Sequence, residues 1–578
     1  MYRRRRLLIL ITAAIALCKL SLPAEAATVY AEGETTAGAK EEVNSDNTPL
    51  DPMNSNPDSN IGAIRMGSTN LLVPDSASDH PMILSHEEEM PLCNPDIHLE
   101  PANPMQVLDG YDSMVITNHI KEPRKLLVDR VNHVLVMSGQ NAIYSLRMDK
   151  CGNVNTELIL DTTVDGQFPD GNKGQKLAHG MALDTKFIYV ATVDNVYQFP
   201  YSDGQHSALS NGRLVVANIG GDPDATSDAM PDVAIDPFGN AFIPRSSAGL
   251  HIASNSVANM DHNDAIIKKF NFRSIPENGY DYQKDGATHA YGTSSRGSMA
   301  FDAQARLWGA EHAFDGIHRD DLGGDISSSG TAEEINLYEA SGVNYGFPHC
   351  FTEFNLKDHT AKAAGLGAQW AHPTFMNASV NMDDYCQKGE NNQAPAIPIA
   401  PGSKSAGLFF YMGTGCSVGD LETLGTSVGL PCNWTDTPIV AYHGASGQPG
   451  GHSVAHLPFD DLGHKPRWDK LPEIILQQTQ PCASDTCFSP VGLAVDEYGR
   501  LLISSENSNE IYMVRRVFNA NSAKMLTDIA NQKEEAKEAA DELKQQAMEE
   551  EGEEEEGPLV KSAQGNGALP AWAKFSVE

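Results

Sequence analysis

An all-β fold, with small sheets arranged around an axis, is what this 578-residue chain predicts. Three observations lead there. Short apolar runs recur along the chain and most close on Asp; turn residues separate them; and the whole unit returns at roughly 50-residue spacing. Each run is too short for a helix, and the punctuation suits strands. Sheets of about four strands repeated radially make a β-propeller.

The first unit reads Leu126-Leu127-Val128-Asp129, Val134-Leu135-Val136-Met137, Ile143-Tyr144-Ser145-Leu146. The second reads Met181-Ala182-Leu183-Asp184, Phe187-Ile188-Tyr189-Val190, Val196-Tyr197-Gln198-Phe199. Further units open at Val233-Ala234-Ile235-Asp236, Met299-Ala300-Phe301-Asp302 and Leu493-Ala494-Val495-Asp496. Asp129, Asp184, Asp236 and Asp302 stand 55, 52 and 66 residues apart, whereas 194 residues separate Asp302 from Asp496. That last gap holds one more blade and a long insertion. The blade is assigned to Leu408–Tyr411, Pro438–Tyr442 and Ser453–Leu457. Six blades over residues 106–518 are expected. The five aspartates are assigned to strand-to-strand turns, where Asp bonds its own backbone, and not to chemistry.

The ends read differently. Residues 1–26 have the build of a secretory signal: basic Arg3 to Arg6, apolar Leu7 to Leu17, then Ala24-Glu25-Ala26 as a small-x-small cleavage site. An uncleaved anchor is the alternative, although the apolar run is shorter than the roughly 20 residues that span a bilayer. Residues 27–105, rich in Ser, Asn, Asp, Pro and Gly, read as a disordered lead-in. Residues 519–548 read as a helix, with Leu526, Ile529, Ala536 and Leu543 at helical spacing. Residues 549–578 form an acidic, disordered tail in which Glu549 to Glu556 holds seven Glu. A run of like charges stays solvated; partner binding by the tail is the alternative.

The net charge of −36 becomes −40 once Arg3 to Arg6, Lys19 and Glu25 leave with the signal. So acidic a surface repels nucleic-acid phosphates and anionic lipid heads, which excludes both as partners. Beyond Cys18 of the signal, eight cysteines remain, an even number that favours disulfides in a secreted chain. The local pairs Cys350–Cys386, Cys416–Cys432 and Cys482–Cys487 are expected, which leaves Cys93 with Cys151. Asn377-Ala378-Ser379 and Asn433-Trp434-Thr435 are glycosylation sequons that suit a secreted location.

Several strand words go further. Glu333-Glu334-Ile335-Asn336-Leu337 followed by Asn344-Tyr345-Gly346-Phe347-Pro348-His349-Cys350 resembles the "EE(I/L)N…NYGWP(Y)C" segment of the soluble quinoprotein sugar dehydrogenases. Leu177-Ala178-His179-Gly180, with Val196-Tyr197-Gln198-Phe199-Pro200-Tyr201, is similar to their "L(N/T)HG…VYRWPY". Ala441-Tyr442-His443-Gly444 is similar to "A(L/F)HG", and Cys487-Phe488-Ser489-Pro490-Val491-Gly492-Leu493-Ala494 to "CFRPVGLA". The group comprises glucose, sorbosone and fungal pyranose dehydrogenases, six-bladed propellers that use pyrroloquinoline quinone (PQQ) and calcium. The resemblance covers about residues 107 to 517.

It implies a secreted sugar oxidoreductase acting on a small-molecule sugar. A base must take the hydroxyl proton as hydride leaves for the quinone, and histidine suits because it titrates near neutrality. His179 falls on the family's base. Cations must hold a cofactor with three carboxylates. Arg124, Arg296, Lys404 and His443 are the candidates. Calcium is bound through oxygen ligands, often backbone carbonyls. Glu311-His312-Ala313-Phe314-Asp315 stands where the family reads "ENGPD", so the carbonyls of Ala313 and Phe314 are the candidate ligands. Four arginine positions of the family are changed here, to Ser294, Pro231, Gln448 and Ser489. Their loss motivates the alternative, a propeller that binds carbohydrate or a protein partner without PQQ. A calcium-dependent lactonase-type propeller is a third possibility, for which no clustered carboxylates are visible at the blade starts.

Overall fold

The computed structural model describes residues 93–164, 168, 176–220, 232–245, 265–294, 297–314, 316–376, 382–417, 427–444, 451–460, 465–482 and 486–517. The signal, most of the lead-in, the C-terminal helix and the acidic tail expected from sequence lie outside the described residues, as do Pro231, Arg296, Gln448 and the Asn377 sequon.

Six sheets carry the fold. Blade 1 is Pro123–Val128, His133–Ser138, Ala142–Met148 and Val154–Asp161. Blade 2 opens on Leu177–Leu183, blade 3 on Ala234–Ile235, blade 4 on Met299–Phe301, blade 5 on Ser405–Tyr411 and blade 6 on Pro490–Val495. Blade 5 is the sheet inferred for the long gap. The sequence closes its own ring: three C-terminal strands of blade 6 take Tyr111–Thr117 as their fourth, with Tyr111 opposite Arg516. Met105–Val107 adds a fifth strand to blade 5. The first strand thus starts at the expected edge of the propeller, and Cys93, bonded to Cys151, ties the segment ahead of that strand to blade 1. All four expected disulfides are formed.

The inner strands are apolar on both faces because each blade packs against two neighbours. Leu126 and Val128 join Ala494 and Leu502 of blade 6, whereas the intervening Leu127 joins Met181 and Leu183 of blade 2. Side chains alternate along a strand, so one run serves both neighbours and reads as continuous hydrophobicity. Six apolar clusters fill the six junctions between blades in this way. A leucine-sized side chain buried there contributes about 2 kcal/mol.

Turn chemistry marks one face of the ring. Asp129 accepts from the amides of Val131 and His133, Asp184 from Lys186 and Phe187, and Asp236 from Asn240. Asp302 does the same for Gln304 and Arg306, and Asp496 for Tyr498 and Arg500. Each of these aspartates directly follows an inner strand, so the five lie at the strands' C-terminal ends. The functional residues argued below lie at the opposite ends.

The long insertion sits within blade 4, on either side of its third strand Glu333–Tyr338 and ahead of its fourth, Ile397–Ile399. It forms two small ribbons, His318–Arg319 with Gly324–Asp325 and Cys350–Thr352 with Gln369–Ala371, and the short helix Met382–Cys386. Arg319 locks it, with Nη1 2.7 Å and Nη2 2.9 Å from the two carboxylate oxygens of Asp383. Among the described residues, no helix is long and apolar enough to cross a membrane.

Candidate functional site

Antiparallel pairing puts the N-terminal end of each inner strand beside the C-terminal end of the second strand. Arg124 and His179 lie near the starts of the inner strands of blades 1 and 2, and Asp232, Lys404 and Ser489 just ahead of those of blades 3, 5 and 6. His443 and Glu506 directly follow the second strands of blades 5 and 6, and Glu311 ends that of blade 4. Residues hundreds of positions apart therefore share one face of the ring.

A charged cluster forms there. The Arg124 Nε donates to Glu506 Oε1 at 2.8 Å, with both side chains buried. His443 Nε2 stands 3.3 Å from the other oxygen, Glu506 Oε2. Burial opposes the charge on Glu506, but His443, Arg124 and His179 hold its pKa down at about 2. Lys125 Nζ lies 3.1 Å from Asp232 Oδ2, and the same carboxylate accepts the amides of Val233 and Met299.

His179 is buried in this field, and its Nε2 has no hydrogen-bond partner among the described residues. Burial first, and then Arg124, lower its pKa to about 4. The imidazole is therefore neutral around pH 7, with a ring nitrogen able to accept a proton. Its neighbour Gly180 must be glycine: a Cβ there would stand 2.7 Å from the Val233 amide nitrogen. That close approach brings blade 3 against the strand that carries His179.

Lys404 joins by its backbone. Its carbonyl accepts from the His443 amide at 3.0 Å, and its own amide donates to Glu333 Oε1 at 2.7 Å. Glu333 also takes the amide and hydroxyl of Ser405, so this buried carboxylate fixes the turn. The turn holds Lys404 at φ 48°, a left-handed conformation that a non-glycine residue keeps only when its surroundings impose it.

A second group surrounds a small cavity lined by Ser294, Glu311, Ala313, Phe314, Glu334 and Phe347, among others. Both calcium-ligand candidates, Ala313 and Phe314, are therefore on its wall. Ser294 and Tyr338 donate to Glu311; Thr352 and Asn336 donate to Glu334. Burial, with some help from Glu311, raises Glu334 to about 7. The buried Asn336 Oδ1 has no hydrogen-bond partner among the described residues. A buried carboxylate, Glu311, and a half-buried one, Glu334, beside an unsatisfied amide oxygen form an oxygen-rich donor set of the kind a hard cation takes. Carboxylates do gather on this face, not at the blade starts but where the second and third strands of blade 4 pair, Glu311 opposite Glu334.

The fit to the three carboxylates of PQQ is narrower. Arg124, Lys404 and His443 are present, and Lys404 has no ion pair among the described residues. Ser489, at a family arginine position, is fully buried and accepts from Asn507 Nδ2, while Ser294 is bonded to Glu311. These residues fit calcium, and they fit PQQ through fewer cations than the family pattern. Sequence reasoning missed Lys125, Asp232 and Glu506. Their positions at strand ends on the His179 face were the available signal.

A family model described as TrAA12-like matches residues 105–517. The pyrroloquinoline quinone-dependent sugar dehydrogenase of Hypocrea jecorina is 22% identical over 431 residues, covering 71% of this chain and 88% of that protein. The holo pyranose dehydrogenase PQQ domain from Coprinopsis cinerea superposes with TM-score 0.59 at 19% identity. The calcium structure of the Trichoderma reesei Family AA12 enzyme does so with TM-score 0.57 at 22% identity. Each structure covers 73% of this chain and is itself covered completely.

Proposed function

Because this chain belongs to the TrAA12-like family, we propose that it is a secreted sugar dehydrogenase of the quinoprotein type, with His179 as the base. The observation that carries this reading is the buried His179 Nε2, neutral and without a hydrogen-bond partner among the described residues. Secretion is supported by the signal-like residues 1–26 and by four disulfides, which suit an oxidising compartment.

When bound, PQQ supplies a two-electron acceptor made more electrophilic by calcium. Arg124, Lys404 and His443 would hold its carboxylates; Ala313 and Phe314 carbonyls, backed by Glu311 and Glu334, would hold the cation. His179 Nε2 accepts the proton of the sugar hydroxyl. Glu506 and Asp232 favour the imidazolium that forms, offsetting part of the desolvation that keeps the resting ring neutral. A base of such low pKa accepts a proton efficiently only while its partner becomes strongly acidic, as a hydroxyl does when hydride departs.

A second reading, a propeller that binds carbohydrate without PQQ, is favoured by one observation. Arg124 and Lys125 are already paired with buried carboxylates, and two arginine positions hold buried serines. Reconstitution separates the readings. Purified protein with PQQ and calcium should reduce an electron-acceptor dye with a panel of aldoses. No dye reduction, with no change in the PQQ absorbance, leaves the carbohydrate-binding reading.

A further inference from the structure

Glu506 bonds one oxygen to Arg124 and sets the other beside His443, two groups that would otherwise meet a ligand. Oε1 lies 2.8 Å from Arg124 Nε and Oε2 lies 3.3 Å from His443 Nε2. A second carboxylate, Glu122, stands 3.8 Å from Arg124 Nη2. Glu506 and Arg124 each expose only 7% of their side chains, whereas His443 exposes 22%. The first candidate cation of the quinone site therefore faces a carboxylate that belongs to the chain itself.

We propose that Glu506 is a resident carboxylate that fills, on Arg124 and His443, the place of a ligand carboxylate. It thereby sets the selectivity of this face between anionic and uncharged ligands. The inference rests on the quinoprotein reading in taking PQQ as the anionic ligand, but its chemistry applies to any carboxylate-bearing small molecule. An anion approaching Arg124 must displace or share the guanidinium with Glu506 and is repelled by it at short range in a poorly screened site. An uncharged polyol meets no such opposition and finds a fixed acceptor.

The test is calorimetric titration of the full-length wild type and Glu506→Gln with PQQ, in the presence of calcium. The amide keeps the shape of the carboxylate and removes its charge. The expected result is at least tenfold tighter PQQ binding by Glu506→Gln, with an unchanged number of sites. Equal or weaker binding overturns the proposal and makes Glu506 a structural partner of Arg124. If Glu506→Gln shows no cooperative melting transition, Glu506→Asp takes its place. It retains the charge but draws it back from Arg124 by one methylene. Tighter binding then supports the proposal, and unchanged or weaker binding overturns it. Dye reduction by the reconstituted wild type is read separately. A wild type that oxidises sugars while Glu506→Gln gains no affinity loses this inference and keeps the dehydrogenase reading. Gained affinity without sugar oxidation in either protein does the reverse.

Discussion

Arg124 of blade 1 and Glu506 of blade 6, 382 positions apart in the chain, meet at 2.8 Å on the face that carries His179. The contact spans the seam where the ring closes. It joins the first blade to the blade that the N-terminal strand Tyr111–Thr117 completes. Closure of the propeller and assembly of the site are thus one event. Arg124→Ala should leave Glu506 buried against His443 alone and cost about 3–5 kcal/mol. Chemical denaturation of the variant measures this, and a cost within about 0.5 kcal/mol of zero contradicts it.

Lys125 and Asp232 form a second buried pair on this face, joining blades 1 and 3. Lys125→Met should destabilise by about 3 kcal/mol or more, because Asp232 then relies on two backbone amides. Adding Asp232→Asn should recover part of that loss, since a paired cost is not additive. A double-mutant cycle in denaturant reads the coupling, and strictly additive costs argue against the pair.

His179 and Glu506 should each contribute stability that is lost on acidification, in two windows, whereas Glu334, raised to about 7, contributes in the opposite direction between about pH 7 and 4.5. His179 has its folded pKa depressed from 6.5 to about 4. Below pH 6.5 the unfolded chain takes up a proton that the folded chain refuses, so stability declines from about pH 6.5 down to about 4. The total is about 3 kcal/mol at roughly 1.4 kcal/mol per pH unit. Buried His372, also lowered to about 4, acts in the same window. Glu506 contributes stability above pH 4.5 that is lost as pH falls towards 2. His179→Phe should make the upper window shallower without flattening it. Melting temperature against pH for both proteins gives the comparison; superimposable slopes would show that His179 is not neutral in the fold.

Calcium should raise the melting temperature through the cavity at Glu311 and Glu334. At a hundred times its dissociation constant, a bound ion adds about 2.7 kcal/mol. A chelator should reverse the shift, and Glu334→Gln should weaken it. A melting temperature indifferent to calcium and chelator rules the cavity out as a cation site.

Much of this was legible in the sequence, for identifiable reasons. Blades were readable because inner strands bury both faces and so leave uninterrupted apolar runs ending in a turn Asp. The fifth blade was harder: Tyr411 is followed by Met412 and not by Asp, and the insertion within blade 4 carries it far from that blade's first strand. His179 was readable from its motif. Glu506 was not, because Ser504-Ser505-Glu506-Asn507 looks like any polar turn until the second strand of blade 6 is known to end beside Arg124. Lys125 and Asp232 were hidden for the same reason: each lies next to an apolar run, and only the ring makes them neighbours.

The base assignment is tested most directly by comparing wild type and His179→Ala, both reconstituted with PQQ and calcium, for dye reduction with the best aldose. The expected result is a fall in kcat of about 10²–10⁴-fold, with melting temperature and PQQ binding close to those of wild type. Turnover retained within a few-fold by a folded, PQQ-loaded His179→Ala would contradict it.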